Sequence, residues 1–534
     1  MWGTEVARGD GAVPFLVYEQ RRRRVTELLG DAARWADRDH LVQGCRRVTF
    51  AAMAAAADRV AGYLAARGVG PGDRLLLLAA NSPDWVISLW AGLRLGAVVA
   101  PGNRWWSTGE IAHAIELTAP AVIIADTKMA RLLPAGTGTG TGPVVVPVAD
   151  IRAAQSTPPP SIPEPPMGGE DDPALIIFTA GTTGLAKAAV LAHRSVIANL
   201  QNLLVVSKRL PHQIRGDRPP EVILQSGPLF HIGGVQSLLL AMLGGNTMVF
   251  LEGRFDSGQV LDLIERERVS IWGAVPTMAI RVLTDPTLPG RDLSAVRSIS
   301  LGGSPVTPEL SARLRAAFPA VRRGVSTIYG MTEAGGTVAA ASGALMAEHP
   351  QTAGRPLPVV EMRIRQPDET GTGEIIVRTP SQMLGYWGED APEVIDAGGW
   401  LHTGDLGRID DGLLYVTGRA KDVIIRGGEN IAASHVEEVL HQHPAVAAAA
   451  VLGLPDADFG EIVGAIVQLR AAATAAELTA FAAARLGRFQ VPARWRLQEE
   501  PLPMTDAGKI AKHELRDAWL AELREEPARK ARTP

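Results

Sequence analysis

The chain has one cysteine, Cys45, among its 534 residues. A single thiol excludes an intramolecular disulfide framework and any metal cluster built on cysteine ligands, and it favours a reducing compartment. Excess charge of one sign is also missing: 53 lysines and arginines stand against 57 aspartates and glutamates, a formal net charge of −4. A chain so balanced does not bind nucleic acid by its field alone. Nor is there a long apolar run. The greasiest region, residues 75–101, is interrupted by Asp84 and Arg94. It falls short of the ~18 uninterrupted apolar residues of a membrane helix, so no membrane span is expected. The four arginines at 21–24 follow an apolar segment instead of preceding one, the reverse of a secretory signal. They are expected to be a solvated helix start in a cytoplasmic protein.

What is present is an α/β pattern. The length exceeds what one hydrophobic core supports, so at least two domains are expected. Short apolar runs alternate with amphipathic stretches, the signature of α/β architecture. Residues 50–67 and 85–95 read as helices, and 74–79, 97–100, 221–225, 247–251 and 270–272 read as buried strands. Two stretches break the rhythm: the Gly/Thr tract at 135–143 and the proline-rich tract at 156–166. Both read as surface loop or linker. The Gly/Thr tract lacks a lysine and a following helix, so it is not taken for a phosphate cradle.

The stretch FTAGTTGLAKAAV at 178–190 is different. The apolar run 174–178 should be a buried strand that delivers the chain into Thr179, Gly181, Thr182, Thr183 and Gly184, with Lys187 just behind. Glycines there let backbone N–H groups turn toward an anion, hydroxyls add donors, and Lys187 adds a mobile positive charge. The spacing is not that of the nucleotide triphosphatase loop, because Ala186 precedes the lysine and Ala188 follows it.

Six further motifs lie downstream: PLFHIGG at 228–234, LGGSP at 301–305, YGMTE at 329–333, WLHTGD at 400–405, GRAKDVIIRGGENI at 418–431 and PMTDAGKI at 503–510. In this order they resemble the adenylate-forming superfamily of acyl-CoA synthetases, peptide-synthetase adenylation domains and firefly luciferase. The resemblance runs from about residue 25 to about residue 515 and is closest to a stand-alone acyl-CoA synthetase. It implies that a carboxylate attacks the α-phosphate of ATP, pyrophosphate leaves, and the acyl group passes to coenzyme A. Charge building on the phosphates must then be met by donors and a metal.

The resemblance also implies residue roles. The loop from Thr179 to Lys187 would hold the β- and γ-phosphates, Thr332 would reach the α-phosphate, and Glu333 would bind Mg²⁺. Asp405 would accept from the ribose hydroxyls, a task for an acceptor-only group, and Arg419 would face ribose and phosphates. Gly302, Gly303, Ser304 and Pro305 would line the adenine and acyl group with Tyr329 stacked there, flanked by Gly330 and Met331. His231 would gate the carboxylate end of the acyl pocket, for which Trp272, Val275, Gly303 and Met331 are further lining candidates. Lys509 would clamp carboxylate and α-phosphate together; without the resemblance it would read as an exposed turn residue. Lys421 would be a hinge, and Gly427, Gly428 and Glu429 would face the pantetheine tunnel.

The implied fold is α/β: a large N-terminal domain of stacked α/β layers, residues 1–420, with a β-rich part at about 352–416, and a small mobile α+β lid at 421–534. Rotating such a lid lets one site run two chemistries. The chain departs from the family pattern at Ala180, Ala186 and Ala188, where Ser, Pro and Gly are common. Losing the serine hydroxyl would cost about 1 kcal/mol of phosphate binding. ATP, Mg²⁺ and coenzyme A are the expected cofactors, and a small carboxylic acid of fatty or aromatic metabolism the expected substrate. A carrier protein, another nucleophile, or activation of an anion such as nitrite are alternatives on the same fold, and a homodimer is left open. A non-catalytic scaffold would require loss of Glu333, Asp405 or Lys509, and all three are present.

Overall fold

A computed structural model of the chain describes residues 1–139, 142–158, 168–179, 186–301, 308–321, 325–349, 351–419, 422–426, 429–456, 459–505 and 509–530. It divides into two compact units, one of Met1–Met362 with Val377–His402, the other of Arg363–Ile376 with Thr403–Pro534. The last crossing between them, at His402/Thr403, falls earlier in the chain than residue 420.

The first unit is layered. A seven-stranded sheet runs in the order Gly385–Tyr386, Lys187–Ala192, Pro173–Thr179, Val98–Pro101, Arg74–Leu78, Val122–Ala125 and Val144–Pro147. Its last five strands are parallel, and the first two are antiparallel additions at one edge. A nine-stranded sheet has a parallel centre that includes Asp39–Gln43, Thr247–Phe250, Val222–Gln225, Ile271–Ala274, Ser298–Leu301 and Val325–Met331.

Strand Arg74–Leu78 explains the layering. Leu75 and Leu77 join a core shared with Leu41, Met248 and Phe250 of the nine-stranded sheet and with Val60, Trp85, Trp90, Ile197 and Leu238 of the helices between. Leu76 and Leu78 point the other way, into a core with Ile111 and Ala114 of helix Thr108–Thr118. A strand covered on both faces has no polar side, which is why it reads as a continuous apolar run. On the far face of the nine-stranded sheet, Leu224, Val249 and Ile299 pack against helices Ser257–Arg266, Pro276–Leu283 and Pro308–Ala317.

The helices begin where their caps are. Thr49 accepts from the Ala52 amide to start Phe50–Ala65, and Ser82 accepts from the Trp85 amide ahead of Pro83 to start Pro83–Arg94. The Gly/Thr tract forms exposed turns with positive φ at Gly136 and Gly138, and most of the proline-rich tract lies outside the described residues. The arginines at 21–24 do not start a helix. The first helix is Glu27–Ala32, and the arginines are drawn into ion pairs instead: Arg21 to Glu170 at 2.7 Å, Arg23 to Glu170 at 2.6 Å, and Arg22 to Asp31. Acidic partners distant in sequence override the local pattern. Among the described residues no helix is long and apolar enough to cross a membrane.

A four-stranded sheet, Glu361–Arg365, Gly373–Arg378, Leu401–Asp410 and Leu413–Arg419 in that order, lies mostly in the second unit. A five-stranded sheet is centred on the long hairpin Val446–Asp456 and Gly460–Leu469. Helices Ala433–His441 and Ala475–Ala483 close one face over Val436, Leu440, Val463 and Leu478. Helix Lys512–Lys530 brings Leu515 and Trp519 to a second cluster with Leu452 and Leu454. This is an α+β body.

Candidate active site

The strands on either side of the glycine- and threonine-rich stretch pair antiparallel. Lys187 stands directly opposite Thr179 in the register of strands Pro173–Thr179 and Lys187–Ala192. Residues 180–185, and with them Gly181, Thr182, Thr183 and Gly184, lie outside the described residues. At the exit, the Ala186 carbonyl meets His113 Nε2 at 2.9 Å. A helix side chain thus holds the backbone at a position where the family often has proline.

A second hairpin brings up Thr332 and Glu333. Strand Val325–Met331 pairs antiparallel with Gly336–Ala341, and the turn between them is closed by the Gly335 amide donating to the Thr332 carbonyl at 2.9 Å. Two glycines make this turn possible. Gly330 sits where the register shifts, and a Cβ there would strike the Gly336 carbonyl; Gly335 has φ +72° and a Cβ there would strike the Ser381 carbonyl. Tyr329, Gly330 and Met331 lie on the strand leading into the turn.

The two hairpins are joined by the segment from Thr379 to Glu389. Thr379, Ser381 and Gln382 are buried polar residues that satisfy one another and their neighbours, with Ser381 donating to the Ala334 carbonyl and Ser195 donating to the Gln382 carbonyl, both at 2.8 Å. The Met383 amide then donates to the Glu333 carbonyl at 2.8 Å. Strand Gly385–Tyr386 pairs with Lys187–Ala192, placing Tyr386 opposite Ala189.

From there the Tyr386 hydroxyl donates to Glu333 Oε1 at 2.9 Å and also interacts with Thr179. Burial, together with the Glu333 carboxylate, pushes the phenol well above its usual range, so it remains a proton donor. The Lys187 ammonium lies 4.7 Å from the Tyr386 ring centre and forms an ion pair with Glu389 at 2.6 Å. Neither Tyr386 nor Glu389 was singled out from the sequence. The available signal was scarcity: the chain has five tyrosines, and Tyr386 is one of them.

His231 caps helix Ile232–Leu243, its ring 4.6 Å from that of Phe230, which in turn meets Trp105 edge-on at 5.4 Å. Trp272 is not a pocket residue. It is fully buried, donates to Ser226 Oγ at 3.0 Å and packs against Phe318; an indole on a strand covered by helices belongs to the core. Gly302, Gly303, Ser304 and Pro305 lie outside the described residues.

In the second unit, Asp405 and Arg419 are direct register partners, with Arg419 Nε 3.3 Å from Asp405 Oδ1. The Asp405 amide donates to Thr403 Oγ1 at 3.1 Å, and the residue is 9% exposed. Lys509 sits on an exposed turn, its amide donating to Thr505 Oγ1 at 3.2 Å and its carbonyl accepting from the Thr505 amide at 2.6 Å. Lys421, Gly427 and Gly428 lie outside the described residues; Glu429 begins strand Glu429–Ala432 opposite Arg426, and its side chain is not described.

The donor set bears on a metal. Among the described residues no three His, Cys, Asp or Glu side chains gather. Glu333 offers a carboxylate with one oxygen engaged by Tyr386. One carboxylate, with water and substrate phosphates for the remaining positions, suits Mg²⁺ better than an all-protein cage.

The model of the AMP-binding enzyme family matches residues 29–387, and that of the AMP-binding enzyme C-terminal domain matches residues 435–509. The chain belongs to the AMP-binding enzyme family. It is 34% identical to a feruloyl-CoA synthase of Amycolatopsis sp over 89% of this chain and 94% of the relative. It is 30% identical to the fatty acid–[acyl-carrier-protein] ligase ScoC of Streptomyces coeruleorubidus over 89% and 92%. Its fold matches the o-succinylbenzoate coenzyme A synthetase of Bacillus subtilis in complex with ATP and magnesium ion with a TM-score of 0.77 and 29% identity, over 92% and 99% of the two chains. This AMP-binding enzyme is an acid–thiol ligase of the acyl-CoA synthetase type. It uses ATP, Mg²⁺ and coenzyme A to convert a small carboxylic acid to its acyl-CoA.

Proposed function

We propose the following division of that chemistry among residues, carried by one observation: Tyr386 bridges the Thr179–Lys187 hairpin and the Thr332–Glu333 turn. The loop from Thr179 through Gly181, Thr182, Thr183 and Gly184 to Lys187 cradles the β- and γ-phosphates. Thr332 donates to the α-phosphate, where negative charge grows as the acid's oxygen attacks and pyrophosphate leaves. Glu333 holds Mg²⁺, which when bound neutralises charge on the phosphates. Tyr329, with Gly302, Gly303, Ser304 and Pro305, flanks the adenine. Asp405 accepts from the ribose hydroxyls, and Arg419, its register partner, faces the ribose and phosphates.

Lys509 clamps the carboxylate and α-phosphate during adenylation alone. A lid of residues 421–534 turns at Lys421 to withdraw it, after which Gly427, Gly428 and Glu429 face the incoming thiol. His231 gates the acid's carboxylate end. Its neighbours Phe230 and Trp105, together with the feruloyl-CoA synthase relatives, support an aromatic acid as the first candidate and a fatty acid as the second. The enzyme works in the cytoplasm.

The test is a panel of aromatic and aliphatic acids with ATP and Mg²⁺, scored for pyrophosphate release and thioester with and without coenzyme A. An acid-dependent acyl-CoA product is expected. The carrier-protein ligase among the relatives makes a holo carrier protein the second acceptor to assay; adenylate that forms but reacts only with the carrier would overturn the coenzyme A assignment. Sedimentation of the same preparation decides between monomer and homodimer.

A further inference from the structure

The contacts around Tyr386 extend the reading of Glu333 as the metal carboxylate, on which this proposal rests. The phenol touches both ends of the phosphate-binding apparatus. Its hydroxyl donates to Glu333 Oε1 at 2.9 Å, and its ring lies 4.7 Å from the Lys187 ammonium. Its backbone belongs to neither hairpin's own sequence; it is added to the edge of the seven-stranded sheet by pairing with Ala189. The same short segment fixes the Glu333 turn from behind, through the Met383 amide on the Glu333 carbonyl and Ser381 Oγ on the Ala334 carbonyl.

A carboxylate at the tip of a hairpin has free χ torsions unless something holds it. Here the half-buried phenol holds one oxygen by a hydrogen bond to a charged acceptor, the stronger kind, and directs the other to a cation. We infer that Tyr386 is a positioning residue for Mg²⁺: it sets the orientation of Glu333 and keeps it in register with Lys187, so that metal and ammonium meet the same triphosphate.

Outer partners of metal-ligating groups typically contribute ten- to a hundredfold to metal affinity. Because the ring and its packing remain, Tyr386→Phe removes the hydroxyl alone. Equilibrium ATP binding is measured by calorimetry against Mg²⁺ concentration for the full-length wild type, Y386F, E333Q and the double variant, with a parallel titration in chelator. Y386F is expected to raise the Mg²⁺ midpoint about tenfold and to leave metal-free ATP binding unchanged, with excess Mg²⁺ restoring both binding and turnover. In the E333Q background the second substitution is expected to add nothing, the signature of a pair acting as one.

A midpoint shift in E333Q but none in Y386F overturns the role of Tyr386 and leaves Glu333 as the metal carboxylate. A Y386F shift of equal size with and without Glu333 overturns it too, since the tyrosine would then act through something else. No shift in E333Q overturns the assignment of Glu333 and the positioning role with it.

Discussion

The Thr332–Glu333 turn and the Lys509 turn are built to different standards. Glu333 is held at its carboxylate by Tyr386 and at its carbonyl by Met383, on a hairpin whose close approach at Gly330 admits no side chain. Lys509 is an exposed residue whose amide donates to Thr505 Oγ1, beside a bridge between Met504 and Ile510. Asp405 and Arg419 resemble the first kind, being register partners inside a sheet. The contrast fits the proposed chemistry, in which the groups that meet ATP are preorganised and Lys509 serves one step of two. Preorganised donors are worth most where charge develops, and mobile elements come from the less tightly bonded end of a structure.

The sharpest way to break this contrast is Lys509→Ala. Acid-dependent pyrophosphate release is expected to fall by on the order of 10²-fold or more, while thioester formation from supplied acyl-adenylate survives. Equal losses in both assays would put Lys509 among the permanent parts of the site.

Next in size is Lys421→Pro, which fixes φ near −65° and removes an N–H. Single-turnover pyrophosphate release is expected to persist and transfer to coenzyme A to be lost, so that acyl-adenylate accumulates on the enzyme. Transfer at the wild-type rate would move the hinge elsewhere.

Glu333→Gln keeps the shape and removes the charge. It is expected to raise the Mg²⁺ requirement and lower turnover with no change in the unfolding midpoint. A Mg²⁺ titration that overlays the wild type would contradict it.

The smallest effect is expected at Glu389, whose carboxylate pairs with Lys187, the proposed phosphate-binding lysine. The pair is partly exposed, with side chains 26% and 43% accessible, and such pairs contribute little. Glu389→Gln should lower the KM for ATP by about threefold at most, with kcat unchanged and the difference fading at high salt. A raised KM would show that Glu389 helps to place Lys187 instead of competing for it.

How far the sequence could be read follows the same physics. Strand Arg74–Leu78, helix Pro83–Arg94 and the strands Val222–Gln225, Thr247–Phe250 and Ile271–Ala274 were legible because period, caps and apolar runs are local signals. Thr332, Glu333, Asp405 and Arg419 were picked out as parts of short motifs, and the structure sets the first two in one turn and the last two in register. Tyr386 was not: its importance comes from pairing with Ala189 and donating to Glu333, and neither partner is near it in the chain. The arginine run at 21–24 failed for the same reason, since distant Glu170 takes Arg21 and Arg23. Trp272 failed because a motif-sized window cannot tell a core indole from one that lines a pocket.

The central claim is that this site joins an acid to AMP before any thiol is involved. Exchange of labelled pyrophosphate into ATP, measured with wild-type enzyme and Mg²⁺ but without coenzyme A, tests it directly. Exchange that appears only when a suitable carboxylic acid is present is the predicted result. Exchange that ignores the acid, or that begins only once coenzyme A is added, would contradict the account.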